Sequence, residues 1–123
     1  MATETTTYTL IDGKKVAAQI KSEIVETVNK RKAEGKKLPH LAIILVGDDG
    51  ASQTYVAHKV KACKEVGFHY TMMRFADTIS QEKLMKHIDH VNNDDDVDGF
   101  IVQLPLPDHI SVEKITEKIR PDK

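Results

Sequence analysis

The stretch LAIILVG, residues 41–47, decides the fold of this chain of 123 residues. It is a continuous apolar run, partly β-branched, that lies between Pro39 and the Gly/Asp cluster at 47–50. An apolar run without polar alternation is typical of a strand buried on both faces, and such strands occur mainly in parallel sheets. The stretch therefore predicts an α/β protein built around a parallel sheet.

Helical and extended patterns alternate on both sides of this strand. The first helix, over 11–32 with a cap at Gly35, has apolar residues at three- and four-residue steps, namely Val16, Ala17, Ile20, Ile24 and Val28. After the strand, we predict a helix from an N-cap at Ser52 to Glu65, a strand at 69–75, a helix at 78–94, a strand at 99–103 and a helix at 111–120. The apolar face of the third helix is predicted to contain Leu84, His87, Ile88 and Val91. This order predicts a three-layer sandwich in which a small parallel sheet is flanked by helices.

The composition indicates one globular domain over 1–123, with 40% hydrophobic and 30% charged residues. A formal net charge of −1, with acids interleaved among the lysines and arginines, argues against nucleic acid as a partner. The polar start MATETTTYTL contains no signal peptide or membrane helix, which predicts no membrane attachment. The single Cys63 cannot form an internal disulfide, and a lone thiol predicts a cytoplasmic protein.

Candidate site residues follow from where open parallel sheets bind ligands, beyond the carboxyl ends of their strands. Tyr55 and Lys59 are four residues apart, so they share one face of the helix that leaves the first strand, with Ser52 one turn before them and Cys63 one turn after. Two interpretations of this pair stay open on spacing alone. Either the pair borders a ligand site, or Tyr55 is a core aromatic and Lys59 a solvated helix lysine.

The segment QLPLP (103–107) favours the ligand site. Gln103 ends a predicted buried strand, where its amide needs partners, and the prolines that follow stiffen the turn. Its amide oxygen can accept a hydrogen bond from a lysine across the crevice, and such a lysine can act as a general acid–base group. The alternative is that Gln103 caps the strand end and does nothing more.

Other motifs are weak. The loop at 47–52 lacks the Gly-Lys-Ser/Thr ending of a P-loop, and no G-x-G-x-x-G fingerprint for a dinucleotide occurs. His87 and His90 have metal-ligand spacing but no third ligand, so no metal is predicted. The acidic run NNDDDVDG (92–99) does not match a calcium loop, and Cys63 is interpreted as a small core residue rather than a reactive thiol.

The segments LAIILVGDDGASQTYVAHKVKACKEVGF (41–68), DGFIVQLPLP (98–107) and IRPDK (119–123) together closely resemble a known family. It is the amino-terminal domain of bifunctional methylenetetrahydrofolate dehydrogenase/methenyltetrahydrofolate cyclohydrolase, and the likeness runs from IDGKKVA (11–17) to the last residue. The resemblance implies that Lys59 is the catalytic residue, that Tyr55 lies against the folate ring system, and that Gln103 hydrogen-bonds Lys59. The residues that it implies for the folate pocket are Ser52, Tyr55, Val56, Ala57, His58, Lys59, Val102, Gln103, Leu104 and Pro105.

The resemblance also implies the reactions. In the family, 5,10-methylenetetrahydrofolate loses hydride to NADP or NAD, and water then opens the methenyl product to 10-formyltetrahydrofolate, without a metal. Family enzymes are homodimers whose contact largely involves a second domain, so we expect this chain to be monomeric.

The chain departs from the family pattern after RPDK (120–123). Family members continue into an Asp-Val-Asp-Gly segment that supplies a carboxylate to the folate pocket, and then into a nucleotide-binding Rossmann domain. The DVDG at 96–99 is a different stretch. We therefore expect the folate half of an active site without a nucleotide site, no hydride transfer, and weak or no cyclohydrolase activity. The alternative is a fragment that binds folate or a partner without turnover.

Overall fold

The computed structural model describes residues 7–123, so the first six residues of the polar start lie outside the described part. The elements are α1 (Gly13–Ala33), β1 (His40–Val46), α2 (Gly50–Val66), β2 (His69–Phe75), α3 (Gln81–Asn92), β3 (Gly99–Val102) and α4 (Val112–Lys118). The predicted order of helices and strands is confirmed. Within residues 7–123, no helix combines the length and the apolar character needed to cross a bilayer.

The sheet has the order β2-β1-β3, and both pairings are parallel. Strand β1 is central, and Ile43 pairs with Met72 on one side and with Ile101 on the other. The five residues from Ala42 to Val46 are all buried. The prediction from LAIILVG, a strand covered on both faces of a parallel sheet, is confirmed.

The two faces of β1 are covered by different helices. Ala42, Ile44 and Val46 pack in one hydrophobic cluster with residues of α3 and α4, chiefly Leu84, Ile88, Val91 and Ile115. Ile43 and Leu45 point the other way and pack against Val56 of α2, and α1 packs on α2. The predicted three-layer sandwich is therefore confirmed. Helix α2 begins at the carboxyl end of the sheet, just after β1.

Helix α1 forms as predicted, but most of its apolar face is not covered. Val28 is buried, whereas Val16 and Ile20 are 52% and 50% exposed. Periodicity indicates which face of a helix is apolar, but it does not show whether another element lies against that face. The helix ends at Ala33 with Glu34 as its C-cap, and the predicted cap Gly35 is the next residue, where the positive φ of 69° lets two amides turn back to the last carbonyls.

The prediction of Ser52 as the N-cap of α2 is wrong. Asp49 is the N-cap, and its side chain accepts a hydrogen bond from the Ser52 backbone N–H at 2.8 Å. This bond holds the pKa of the Asp49 carboxyl below its ordinary value. The helix thus begins two residues before Ser52, which moves the Ser52 side chain from the end of the helix onto its buried face.

The prediction that His87 belongs to the buried face of α3 is also wrong. Leu84, Ile88 and Val91 are buried as expected, but His87 is exposed and its ring lies 4.4 Å from that of Phe75. The buried face of α3 is therefore narrower than the spacing predicted. His87 lies at its edge, where it contacts the partly buried ring of Phe75 at the end of β2.

The segment RPDK anchors the end of the chain to α3. The buried Asn92 donates to the Lys118 carbonyl at 2.9 Å and accepts from the Arg120 backbone N–H at 3.1 Å. The Lys123 ammonium group donates to the carbonyls of Asp94 and Val97 in the loop before β3. These bonds bring the chain end beside β3.

Candidate functional site

The candidate site lies at the carboxyl end of the sheet, where α2 leaves β1 and QLPLP leaves β3. The capped start of α2 places Ser52, Tyr55 and Lys59 along the side of the helix that faces this loop. The backbone N–H of Gln103 donates to the carbonyl of Ile44 at 2.9 Å, which extends the pairing of β3 with β1 by one residue. The main chain therefore holds Gln103 directly opposite α2.

Lys59 and Gln103 are joined across this gap. The Lys59 Nζ donates to the Gln103 Oε1 at 2.5 Å, and both side chains are partly buried. A hydrogen bond from an ammonium group to an amide oxygen is charge-assisted and stronger than one between neutral groups. The interpretation of Lys59 as a solvated helix lysine is wrong, and so is that of Gln103 as a strand cap alone.

Tyr55 forms the open side of the site. Its side chain is 59% exposed, so the interpretation of Tyr55 as a core aromatic is wrong. The Lys59 Nζ lies 6.0 Å from the centre of the Tyr55 ring, at the limit of a cation–π contact. The exposed ring of Tyr55 thus offers a flat apolar surface beside Lys59, an amine that can donate or accept a proton.

The Leu104 carbonyl connects the loop to α2. It accepts one hydrogen bond from the Ser52 hydroxyl at 3.0 Å and another from the Gln103 Nε2 at 3.1 Å. Ser52 itself is 2% exposed. The five residues that the structure brings together here are therefore Ser52, Tyr55, Lys59, Gln103 and Leu104, with Pro105 next in the loop.

The structure places Val56, Ala57 and Val102, three of the other predicted pocket residues, away from this site. Val56 is 1% exposed and belongs to the core between β1 and α2. Ala57 lines a groove of about 410 Å³ on the opposite side of α2, together with Tyr70 and Met72. Val102 packs with the cluster on the other face of the sheet, and His58 is exposed.

An apolar cavity of about 310 Å³ lies beside Lys59, between α1, α2 and the start of β1. Its lining includes Ile24, Leu41, Cys63 and Phe68. The sequence did not indicate this cavity, because its walls come from segments that are far apart in the chain and only the packing of α1 on α2 brings them together. Cys63 is buried, which raises the pKa of its thiol, so its interpretation as a core residue is confirmed.

Two other observations bear on ligands. Among residues 7–123, no three His, Cys, Asp or Glu side chains lie close enough together to hold a metal ion. The N-cap of α2 is Asp49, and the lowered pKa of its carboxyl keeps it charged near neutral pH. A negative charge at a helix N-terminus competes with any anionic ligand for the same amides.

Known proteins share both the sequence and the fold. The bifunctional protein FolD of Flavobacterium psychrophilum is 54% identical over 114 residues, which is 93% of this chain and 39% of that protein. The crystal structure of the bifunctional FolD methylenetetrahydrofolate dehydrogenase/cyclohydrolase of Campylobacter jejuni matches 94% of this chain and 40% of its own, with a TM-score of 0.89 and 46% identity. The structure of the Trypanosoma brucei enzyme, complexed with NADP cofactor and inhibitor, matches 92% of this chain and 38% of its own, with a TM-score of 0.84 and 33% identity.

The chain spans about 40% of the length of the relatives that it matches. Residues 11–123 match the family described as tetrahydrofolate dehydrogenase/cyclohydrolase, catalytic domain. This match covers all the residues of the candidate site, and the chain therefore belongs to the tetrahydrofolate dehydrogenase/cyclohydrolase family.

Proposed function

We propose that this chain is the folate-binding, catalytic half of an enzyme of one-carbon metabolism. That enzyme oxidises 5,10-methylenetetrahydrofolate to 5,10-methenyltetrahydrofolate and hydrolyses the product to 10-formyltetrahydrofolate. The observation that carries the proposal is the 2.5 Å hydrogen bond between Lys59 and Gln103 beside the exposed ring of Tyr55. Family membership supplies the substrate, since the relatives are named for these two reactions.

Each of the three side chains has a role in the hydrolysis. The pterin ring stacks on Tyr55, which brings the methenyl carbon near the Lys59 amine. Water adds to that carbon as one of its protons passes to Lys59, which accepts it in its neutral amine form while an amine N–H still donates to Gln103. The bond from the carbon to the ring nitrogen N5 then breaks, N5 takes the proton from Lys59, and the hydroxyl proton leaves to solvent, so that the formyl group remains on N10. Gln103 holds the Lys59 amine in place through its amide oxygen.

The nicotinamide nucleotide of the oxidation step is proposed to bind outside residues 7–123. The relative from Trypanosoma brucei was solved with NADP, and in sheets of this kind a pyrophosphate meets free amides at a helix N-terminus. At the start of α2, the Asp49 carboxylate accepts a hydrogen bond from the Ser52 N–H at 2.8 Å. Its negative charge would repel a phosphate at this position. The residues at the start of α2 do not fit a dinucleotide, so no part of the hydride transfer is assigned to them.

A second candidate function is the binding of folate without turnover. Tyr55 is 59% exposed and Leu104 is 49% exposed, so water reaches the site on the side where these two residues lie. Catalysis by positioned groups depends on the exclusion of bulk water and on a bound reactant with little freedom. On this ground the chain alone is expected to hydrolyse slowly or not at all and to transfer no hydride, and NADP-dependent oxidation by the chain alone would contradict the second expectation.

The first experiment follows the loss of 5,10-methenyltetrahydrofolate in the presence of the chain, its Lys59→Met variant and its Lys61→Met variant. Lys61 is the matched control, because it lies on the same helix but lines the groove on the opposite side. Hydrolysis above background that only Lys59→Met removes supports the enzyme. Folate binding by calorimetry that is unchanged in both variants, with no hydrolysis, supports the binding function, and absence of binding refutes both.

Location and assembly follow from the same proposal. A cytoplasmic enzyme is in keeping with Cys63, a buried thiol. The chain by itself is proposed to be a monomer, although full-length family enzymes form homodimers. Sedimentation of the chain at two concentrations tests this, and a concentration-dependent dimer would contradict it.

A further inference from the structure

The orientation of the Gln103 amide depends on a residue that does not touch Lys59. The Gln103 Nε2 donates to the Leu104 carbonyl at 3.1 Å, which leaves the Oε1 free to accept from the Lys59 Nζ at 2.5 Å. If the amide were turned over, its NH₂ would face an ammonium group and its oxygen would face a carbonyl oxygen, so both bonds would be lost. The Leu104 carbonyl thus favours the same orientation of the amide as Lys59 does.

The Ser52 hydroxyl holds that carbonyl in place. It donates to the Leu104 oxygen at 3.0 Å, and the bond joins the first turn of α2 to the loop after β3. Leu104 itself is 49% exposed and its side chain contributes little to fix the loop. The loop is therefore attached to α2 at two points, the Ser52–Leu104 bond and the Gln103–Lys59 bond, and only the first is independent of the groups that react.

We propose that Ser52 is a positioning residue, which orients Gln103 toward Lys59 through the Leu104 carbonyl and does not contact the substrate. The resemblance implied that Ser52 lines the folate pocket, but with 2% of its surface exposed it offers a ligand almost no contact. The catalytic consequence rests on the proposed function, whereas the orientation of Gln103 does not.

The backbone of Ser52 has a separate structural role that a side-chain substitution leaves intact. Its N–H donates to the Asp49 carboxylate at the start of α2. Ser52→Ala keeps this N–H, so we expect α2 to begin at the same residue. Ser52→Cys fills nearly the same volume but provides only a weak donor, so it separates loss of the hydrogen bond from loss of packing.

The test measures hydrogen exchange of the Gln103 side-chain amide by NMR in the chain, in Ser52→Ala, in Ser52→Cys and in Thr54→Ala. Thr54 is the matched control, because its hydroxyl bonds the Gly50 carbonyl of its own helix at 3.1 Å and not the loop. When the Ser52 hydroxyl no longer holds the Leu104 carbonyl, the bond that this carbonyl accepts from the Gln103 Nε2 is weakened. Loss of that bond corresponds to roughly fivefold faster exchange of the Gln103 amide. We expect this in both Ser52 variants and no change in Thr54→Ala.

The same variants are then assayed for hydrolysis of 5,10-methenyltetrahydrofolate. We expect kcat to fall roughly tenfold in both Ser52 variants with little change in KM, because a displaced Gln103 weakens catalysis and not substrate contact. Unchanged exchange in both variants, a normal Ser52→Cys beside an altered Ser52→Ala, or a rise in KM alone would overturn the positioning role. If the parent chain shows no hydrolysis, the chain alone is a binding fragment and not an active enzyme, and the exchange data still decide the role of Ser52.

Discussion

Lys59 and Gln103 should act as one unit, and a double-substitution cycle tests this. The cycle compares the chain with Lys59→Met, Gln103→Met and the variant that carries both. Methionine keeps an unbranched side chain at each position and removes the groups that form the 2.5 Å hydrogen bond. The proposal assigns the proton transfer to Lys59 alone, so Gln103 should matter only while the lysine is present.

The size of each effect follows from the contact. A positioned acid–base group contributes about 10²- to 10⁴-fold to a rate, so Lys59→Met should lower hydrolysis by that factor. Gln103→Met removes a hydrogen bond to a charged group, which is worth about 1.5–3 kcal/mol. Both side chains are only partly buried, so we take the lower end of this range and expect Gln103→Met to lower the rate of hydrolysis roughly tenfold. The double variant should hydrolyse no more slowly than Lys59→Met.

The assay is the initial rate of loss of 5,10-methenyltetrahydrofolate, with circular dichroism melts of all four proteins. All four proteins should remain folded at the assay temperature, since neither side chain belongs to the hydrophobic core and the loss of one hydrogen bond lowers the stability only modestly. If the rate loss of the double variant equals the product of the losses in Lys59→Met and Gln103→Met, Gln103 contributes independently of Lys59, for instance by contacting the substrate. That result would refute the reasoning from the hydrogen bond.

Three further predictions concern stability. Leu84 is fully buried, so Leu84→Ala should lower the free energy of unfolding in urea by about 2–5 kcal/mol, and a loss below about 1 kcal/mol would contradict the packing. The hydrogen bond from Lys37 holds the pKa of Asp98 below its ordinary value of 3.8, so this carboxylate stabilises the chain above that pH and loses its effect as the pH falls through the lowered pKa. Asp98→Asn should therefore melt earlier than the parent at pH 7, and the difference should vanish in acid; a constant difference would refute the linkage. A Cβ at Gly99 would lie 2.9 Å from the carbonyl oxygen of the last residue, whereas one at Gly50 meets open space. Calorimetry should show a lower melting temperature for Gly99→Ala and little change for Gly50→Ala, and equal values would contradict the close approach.

Several features of the fold were predictable from local patterns. An uninterrupted apolar run such as 41–47 can be satisfied only by cover on both faces, which is why it indicated the central strand. The stop of α1 at Gly35 was predictable because a positive φ there suits glycine. The exposure of most of the apolar face of α1 was not predictable, because it depends on which other elements pack against the helix.

The N-cap of α2 shows a limit of prediction from local sequence. Asp49 and Ser52 are both good N-cap residues, and sequence preference alone does not choose between them. The structure uses Asp49, which frees the Ser52 hydroxyl to reach a loop 52 residues away. That choice places Ser52 inside the site instead of at the edge of the helix.

By itself, the sequence determined the layers, the central strand and the spacing that puts Tyr55 and Lys59 on one side of a helix. These follow from the periods of helices and strands, which are properties of neighbouring residues. Only the tertiary structure decided that Lys59 meets Gln103, that Val56 faces the core and that the Leu104 carbonyl joins the loop to α2. The contacts of Lys59 with Gln103 and of Ser52 with Leu104 join residues 44 and 52 positions apart, and the parallel pairing of β1 with β3 is what brings them together.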